Sequence, residues 1–347
     1  MVKAQVPPVK QWELDMPTTL GTCNDEEWFY QIIQTADGGY LGAGYAYIDP
    51  GSNNNCQNTF ATMVKYDAAG SMIWEQACYI SNTNFRGFFT DVIEVSDGYI
   101  AIGQFKITST SKAEVELYKV NKSDGTTQTG FQKVFGITEL SNLANEAGLV
   151  TATGVGGRPS IREIKLANGS TDGFILGMNG SALDINSMSF NFALLVRTHA
   201  DFSFNNDFDA NGYKVFANAG PISSSCENVR VIYDGSNAPV GFMLAGQYHW
   251  EKDPVSVDDD ALVMNLGLTG NVVLENHYSE TSLGGSYLDV LTSDINYCNY
   301  SNAEICDNVL VDPTYLLNST DNFVTRKRAG TLNFIDITNA HYLHFTD

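Results

Sequence analysis

The sequence has few charged residues and few of the groups that support catalysis. Only 17% of its 347 residues are charged, and it has five histidines and six cysteines with no Cys-x-x-Cys pair. No apolar run approaches the roughly 18 residues of a membrane-spanning helix. The motifs G-x-S-x-G and H-E-x-x-H and the Walker loop are missing. These absences argue against membrane insertion, a Cys/His zinc site and the enzyme classes that those motifs identify.

Basic residues are also scarce. Lys and Arg number 19 against 40 Asp and Glu, so the formal net charge is −21. Such a chain repels phosphate backbones and anionic lipid, which disfavours binding to nucleic acid or to a membrane surface. What the sequence has instead is 31 Gly, 17 Tyr and 19 Phe. This composition is typical of short, half-buried strands joined by tight turns, and it predicts an all-β protein.

Five copies of one four-strand plan run along the chain. In each copy a first strand ends in an aliphatic residue, a turn follows that is often Asp-Gly or Asn-Gly, and an aromatic residue opens the second strand. The aliphatic residues, 59 to 71 residues apart, are Ile33, Ile93, Ile164, Ile232 and Leu291. The aromatic residues are Tyr40, Tyr99, Phe174, Phe242 and Tyr315. A repeat of four antiparallel strands predicts a β-propeller with five four-stranded blades.

The blade boundaries follow from the repeat. The predicted blades span about 26–80, 86–138, 159–220, 226–280 and 285–342. We interpret residues 1–10 as the remnant of a signal peptide or an N-terminal arm, and 11–347 as a single propeller. The segment QWELDMPT (11–18) reads as a strand that closes the last blade or adds to it. If the chain is a fragment, six or more blades are expected.

The first repeat contains the strings ADGGYLGAGY (36–45) and MVKYDAAGSMIW (63–74). They resemble the propeller repeats of large secreted proteins of Bacteroidota, many of which are cargo of the type IX secretion route. The resemblance covers about 11–342 and implies a secreted or cell-surface scaffold. It implies no particular activity.

The cysteines are consistent with that compartment, since disulfides are typical of secreted proteins. Six cysteines allow 15 pairings, so the sequence does not determine the connectivity. Cys298 and Cys306 lie eight residues apart in one polar insertion and are candidates for a local disulfide. Cys23 and Cys56 fall in loops that we place on one face of the first blade, which makes them a second candidate pair. Buried free thiols are the alternative.

Functional residues are expected in the loops of one propeller face, where packing constrains the sequence least. The long connections of that face are 18–27, 48–58, 107–114, 137–159, 179–190 and 249–260. The last of these is the richest in functional groups. Its His249, Trp250, Glu251 and Asp253 are candidates to bind a carbohydrate, with Trp250 stacking on a sugar ring. Asp258, Asp259 and Asp260 are candidates to hold Ca²⁺ through oxygen ligands. The alternative is a solvated acidic loop.

A second candidate calcium site is the D-x-D-x-N-G string formed by Asp207, Asp209 and Asn211. The bidentate Glu expected at position twelve is replaced by Asn218. The alternative is an ordinary turn, as predicted for Asp67 to Gly70.

Polar residues also recur on the innermost strands, two positions before each aligned aliphatic residue. They are Gln31, Asp91, Arg162, Arg230 and Asp289. We expect this mixed ring to line the central channel, either as a site or as a set of hydrogen-bonded pairs.

The sequence thus favours a non-catalytic extracellular module for binding, adhesion or assembly, with a carbohydrate or a cell-surface protein as partner. Calcium is the only cofactor that it suggests. One alternative is a hydrolase acting on extracellular glycans through carboxylates at the channel mouth. Another is a self-assembling subunit of a surface filament or sheath.

Overall fold

A computed structural model of the chain describes residues 27–48, 58–78, 85–107, 113–216, 223–253, 256–278, 331–337 and 340–346. Most of these residues are in β-strands, and α1 (Leu143–Glu146) is one short helical turn. Among the described residues, no helix is long and apolar enough to cross a membrane. The predicted all-β class is therefore confirmed.

Four antiparallel sheets of four strands follow one another along the chain. Sheet one contains β1 (Glu27–Gln34), β2 (Tyr40–Ile48), β3 (Asn58–Tyr66) and β4 (Met72–Cys78). Sheet two contains β5 (Phe85–Val95), β6 (Gly98–Ile107), β7 (Ala113–Val120) and β8 (Thr127–Phe135). Sheet three contains β9 (Thr151–Lys165), β10 (Thr171–Leu183), β11 (Ser189–His199) and β12 (Tyr213–Phe216). Sheet four contains β13 (Ser223–Tyr233), β14 (Pro239–Asp253), β15 (Ser256–Gly267) and β16 (Val272–Tyr278).

Apolar side chains pack each sheet against the next. One cluster joins sheets one and two and includes Leu41, Met63 and Phe89. A second joins sheets two and three around residues such as Ile102 and Leu176. A third joins sheets three and four and includes Ile175, Phe208 and Phe242. Sheets two and three each contribute to two of these clusters. Burial of this apolar surface therefore packs the four sheets against one another in chain order.

Predicted loops overlap strands, most extensively in two places. The connection predicted over 137–159 contains α1 and the first half of β9, because Thr151–Gly156 pair with the end of β10. The loop predicted over 249–260 is instead an extended hairpin, in which Trp250 pairs with Asp258 and only 254–255 separate the strands. Both segments are polar enough to suggest a loop, but backbone hydrogen bonds to the neighbouring strand extend the sheets through them.

The fifth repeat is described only at its end. β17 (Thr331–Ile337) pairs with β18 (Ala340–Thr346) in an antiparallel hairpin. The strand predicted over 332–338 corresponds to β17. Its described partner is β18, which follows it in the chain and extends beyond residue 342, where the last blade was predicted to end. Residues 279–330 and the segment 11–18 lie outside the described residues, so a fifth four-stranded sheet stays a prediction.

The four sheets share two distinct ends. We call the end that carries the β1–β2 and β3–β4 turns, and their equivalents, the turn end. The opposite end, where the second and third strands connect and each sheet leads to the next, is the loop end.

An ion pair recurs at the turn end. The carboxylate of Asp37 lies 3.0 Å from Lys65 Nζ, that of Asp97 lies 2.7 Å from Lys119 Nζ, and that of Asp172 lies 2.8 Å from Arg197 Nη2. The three cations are opposite equivalent residues of the second strand, namely Leu41, Ile100 and Ile175. Asn265 holds this position in sheet four, opposite Met243. In sheets one to three this ion pair therefore connects the Asp-Gly of the first turn to the third strand.

Candidate functional site

A pocket of about 380 Å³ opens at the loop end, where sheets two, three and four meet. Fourteen described residues line it, and twelve of them are glycine or polar: four glycines, four side-chain amides, three serines and one glutamate. Such a lining offers many hydrogen-bond donors and acceptors and little apolar surface.

Three of the amides occupy equivalent positions in successive sheets. Gln104, Asn179 and Gln247 each lie five residues after the aromatic residue that opens the second strand. Gln104 Oε1 accepts a hydrogen bond of 2.8 Å from Gly157 N–H, and Asn179 Oδ1 accepts one of 2.6 Å from Cys226 N–H. These two amide oxygens each hold the first strand of the next sheet: Gln104 holds β9, and Asn179 holds β13. Neither amide NH₂ donates to another described residue, so both remain available at the pocket.

Glycine is required where β9 passes these amides. A Cβ on Gly157 would lie 2.3 Å from Asn179 Nδ2, and one on Gly156 would lie 2.9 Å from Gln104 Cδ. Gly157 also has φ of +86°, a conformation that other residues rarely adopt. The pairing of β9 with β10 is interrupted here, between Gly156 and Ser160. The run GVGGRP thus forms a bulge that lets backbone and amides approach closely.

Glu227 is the one carboxylate among the residues that line the pocket. It lies at a bulge of β13, between Cys226 and Asn228, and Ser225 Oγ donates a 3.3 Å hydrogen bond to its Oε1. Equivalent bulges interrupt β1 at Tyr30 and β5 at Thr90. Because a bulge redirects the side chain of its extra residue, this position of the repeat is suited to presenting functional groups.

The predicted ring of polar residues on the innermost strands is partly joined by hydrogen bonds. The Asp91 carboxylate forms an ion pair with Arg162 and accepts a hydrogen bond of 3.0 Å from Ile161 N–H. Arg162 Nη2 in turn donates a 3.0 Å hydrogen bond to Asn228 Oδ1. These contacts connect sheets two, three and four, which matches the paired alternative for Asp91 and Arg162.

The register shows that the predicted column is in fact two columns. Gln31 and Asp91 are opposite the third residue after the opening aromatic, namely Ala43 and Ile102. Arg162 and Arg230 are instead opposite the first residue after it, Ile175 and Met243. The residues equivalent to Gln31 and Asp91 are therefore Ser160 and Asn228. The predicted alignment is therefore wrong by two residues in sheets three and four, because the first turn of these sheets is longer. A shift of two residues keeps a side chain on the same face of the sheet, so the polar pattern of the sequence does not reveal it. Asp289 lies outside the described residues.

The residues predicted to bind carbohydrate follow the pocket residue Gln247 along β14. β14 continues from Gln247 through His249, Trp250 and Glu251 to Asp253, and His249 pairs with Ser223 on one side and Asp259 on the other. Trp250 is opposite Asp258, and Asp260 is opposite Tyr248. The backbone therefore brings the aromatic and acidic residues into one hairpin. Their roles in binding carbohydrate and calcium stay predictions.

The second predicted calcium site forms part of a turn. Asp209 Oδ2 lies 3.3 Å from Lys214 Nζ, and the Asp209 carbonyl accepts a 2.9 Å hydrogen bond from Gly212 N–H. Asn211 Nδ2 donates to Glu146, whose pKa is raised by burial, while Asp207 is exposed. This arrangement fits the turn alternative. Across the described ranges, no three His, Cys, Asp or Glu side chains are grouped to hold a metal ion.

The candidate disulfide cysteines, Cys23, Cys56, Cys298 and Cys306, lie outside the described residues. Cys78 and Cys226 are buried free thiols. Burial raises the pKa of Cys78 to about 12 and also raises the pKa of Cys226, so both are protonated at neutral pH.

Sequence reasoning missed the pocket itself. The position five residues after each opening aromatic is a repeat column, and it reads Tyr45, Gln104, Asn179 and Gln247. Comparing this column across the repeats is the signal that would have identified the amides.

Comparisons with known proteins give matches among solved structures alone. No protein-family model matches the chain, and no curated protein matches it. Among solved structures, the chain is similar to an endo-arabinase from Bacteroides thetaiotaomicron, with 12% identity over 72% of this chain and 74% of that one. The TM-score is 0.32.

Proposed function

We propose that this protein is a non-catalytic binding protein of the cell exterior, with its ligand site at the loop end of a β-propeller. The ligand class that we propose is carbohydrate. The pocket at the junction of sheets two, three and four carries this proposal.

The chemistry of the pocket supports a carbohydrate ligand. Saccharides present many hydroxyl groups, each of which both donates and accepts hydrogen bonds, and amides and serine hydroxyls complement them. Gln104 and Asn179 are already held by hydrogen bonds to Gly157 and Cys226, so a ligand would meet side chains whose conformational freedom is reduced. Extension of β14 toward His249 and Trp250 would enlarge the site at its rim.

The order of the sheets supports the propeller. Four four-stranded antiparallel sheets pack face to face in chain order, which is the arrangement of consecutive blades. In this proposal the fifth repeat completes the ring, and 11–18 adds a closing strand. The repeat strings of sheet one support placement among the secreted propeller proteins of Bacteroidota that they resemble. Disulfides between the paired candidates and calcium at 258–260 would fit that compartment.

The second candidate function is hydrolysis of a glycan. The observation that favours it is the position of the Glu227 carboxylate in the pocket lining. Glycosidases use two carboxyl groups about 5–10 Å apart, one on each side of the scissile bond. Glu227 supplies one such group at the pocket. A partner carboxylate would have to come from the hairpin around Glu251 or from another loop.

One experiment separates the two functions. The protein is screened on a glycan array, and each bound oligosaccharide is then incubated with it while released reducing ends are measured. We expect saturable binding without release, and binding that persists in Glu227→Gln. Release of reducing ends that is abolished in Glu227→Gln would contradict the proposal and establish the hydrolase.

A further inference from the structure

Three aromatic side chains form a half-exposed cluster beside the pocket. The ring centroids of Tyr30 and Phe88 lie 5.4 Å apart, those of Tyr30 and Tyr45 6.0 Å, and those of Tyr45 and Phe88 6.5 Å. Tyr30 is 40% exposed, and the other two rings are partly buried. Tyr30 is the bulge residue of β1, and Tyr45 is the equivalent of the pocket amides Gln104 and Asn179. Sheet one therefore presents an aromatic ring, Tyr45, at the position where sheets two to four present amides.

An arginine from sheet three reaches this cluster. The Arg158 guanidinium carbon lies 5.8 Å from the centroid of the Tyr30 ring, although the two residues are in different sheets. Arg158 is exposed and directly follows Gly157, which lines the pocket. We call Tyr30, Tyr45, Phe88 and Arg158 the Tyr30 patch.

The backbone on either side of Arg158 is held in place. Gly157 N–H donates to Gln104 Oε1 at 2.8 Å, and the carbonyl of Pro159 accepts a 2.5 Å hydrogen bond from Thr90 Oγ1. Both partners belong to sheet two. The guanidinium is thus positioned by its own backbone and by the Tyr30 ring, and none of the described residues forms an ion pair with it.

A guanidinium held in this way is suited to a carboxylate. Its planar set of N–H donors binds the two oxygens of a carboxylate in parallel, and such charge-assisted hydrogen bonds are stronger than those to a hydroxyl. Aromatic rings beside it offer an apolar surface for the C–H face of a sugar ring. The body of the protein has a net charge of −21, which repels anions. A preference for an acidic ligand therefore needs a local cation, and Arg158 provides one.

We propose that the Tyr30 patch is a second subsite of the loop end, which binds a sugar residue bearing a carboxylate, such as a uronic acid. This inference rests on the proposed carbohydrate function and names its substrate class. The saccharide would extend from the amide-lined pocket across Gly157 to the aromatic rings. Its acidic residue would then lie at Arg158.

The test compares oligogalacturonides with the same oligosaccharides after reduction of each carboxyl group to a hydroxymethyl group. Affinities are measured by calorimetry in about 150 mM salt, which screens long-range repulsion beyond about 8 Å but leaves contacts intact. We expect the acidic form to bind about tenfold more tightly than the reduced form, as one charge-assisted contact predicts. In Arg158→Gln this ratio should fall to about one, chiefly through weaker binding of the acidic form. Lys165→Gln removes the same charge at the turn end, where Lys165 is near Glu163, and should leave the ratio unaltered.

The outcomes separate this inference from the function on which it rests. Equal binding of the two forms by the unmodified protein, or a preference that persists in Arg158→Gln, would overturn the acidic subsite and leave carbohydrate binding standing. If no saccharide binds the unmodified protein, neutral or acidic, the proposed function fails as well. Tyr30→Ala adds a second readout: loss of the ring should weaken both forms, and the acidic form more, because the ring also positions the Arg158 guanidinium.

Discussion

The turn end and the loop end of the sheets use their polar residues in different ways. At the turn end, charged groups pair with one another: Asp37 with Lys65, Asp97 with Lys119, and Asp172 with Arg197. At the loop end, the equivalent amides Gln104 and Asn179 use their oxygens to hold the next sheet and keep their NH₂ groups at a pocket. Under the proposed function, one repeat therefore separates stability from binding. The recurring ion pairs lie at one end, and the amide NH₂ groups without a described partner lie at the other.

The largest effect is expected from removing Asp37 at the turn end. Lys65 is buried, with 1% of its side chain exposed, and Asp37→Ala leaves its ammonium with only the carbonyl of Tyr66 as a described partner. An unpaired buried charge costs about 3–5 kcal/mol, and we expect about 2 because Asp37 itself is more than half exposed. The measurement is the free energy of unfolding in urea. Asp124→Ala removes an exposed turn carboxylate that has only local hydrogen bonds to Thr126, and it should cost clearly less.

Sheet four lacks the ion pair, and building one there tests its role. Asn265 occupies the position of Arg197, and Val240 occupies that of Asp172 at the bulge of the first turn. Asn265 Oδ1 is buried and accepts no hydrogen bond from the described residues. Asn265→Arg alone should destabilise by about 1–2 kcal/mol, because it buries an unpaired cation. Adding Val240→Asp should recover about 1 kcal/mol as a coupling free energy in a double-mutant cycle. Strictly additive effects would refute the ion-pair explanation.

At the loop end we expect a substitution to weaken ligand binding and to leave the free energy of unfolding nearly unchanged. Gln247→Ala removes an amide from the pocket lining and should weaken saccharide binding about tenfold, or about 1.4 kcal/mol. The free energy of unfolding should change by less than about 0.5 kcal/mol. The matched control is Asn168→Ala, which removes an amide from the first turn of sheet three. It should leave binding unchanged. A large loss of stability in Gln247→Ala would show that the two ends are not separate in function.

The smallest expected effect is the pH dependence of stability that the carboxylates of the turn end contribute. Hydrogen bonds from Thr35, Gly39 and Lys65 lower the pKa of Asp37 to about 2, and that from Lys119 lowers the pKa of Asp97. An unfolded Asp titrates near 3.9, so these carboxylates contribute stability above about pH 4, which is lost as the pH falls toward 2. Asp37 is largely exposed, so we expect less than about 1 kcal/mol. Urea unfolding between pH 6 and pH 2.5 should show a smaller acid loss in Asp37→Asn than in the unmodified protein.

The sequence predicted the sheets well because their apolar alternation and turn residues are local signals. Strands from Tyr40, Tyr99, Phe174 and Phe242 begin at or within three residues of the predicted aromatic. It failed at the ends of strands, since Thr151–Gly156 and His249–Asp253 are polar and their pairing depends on a neighbouring strand. It also failed at Arg162 and Arg230, because turn length, which sets the register, differs between repeats. The contact between Arg158 and Tyr30 depends on how the sheets pack against one another, and the repeat pattern of the sequence carries no information about that packing.

The most direct test of this division between the two ends is calorimetric titration of the protein with an oligosaccharide selected on a glycan array. Titrations of the unmodified protein, Gln247→Ala and Asp37→Ala are compared at a temperature where all three are folded. The account predicts saturable binding without release of reducing ends, weakened about tenfold in Gln247→Ala and unchanged in Asp37→Ala. Full-strength binding in Gln247→Ala, or equal loss in both variants, would contradict it.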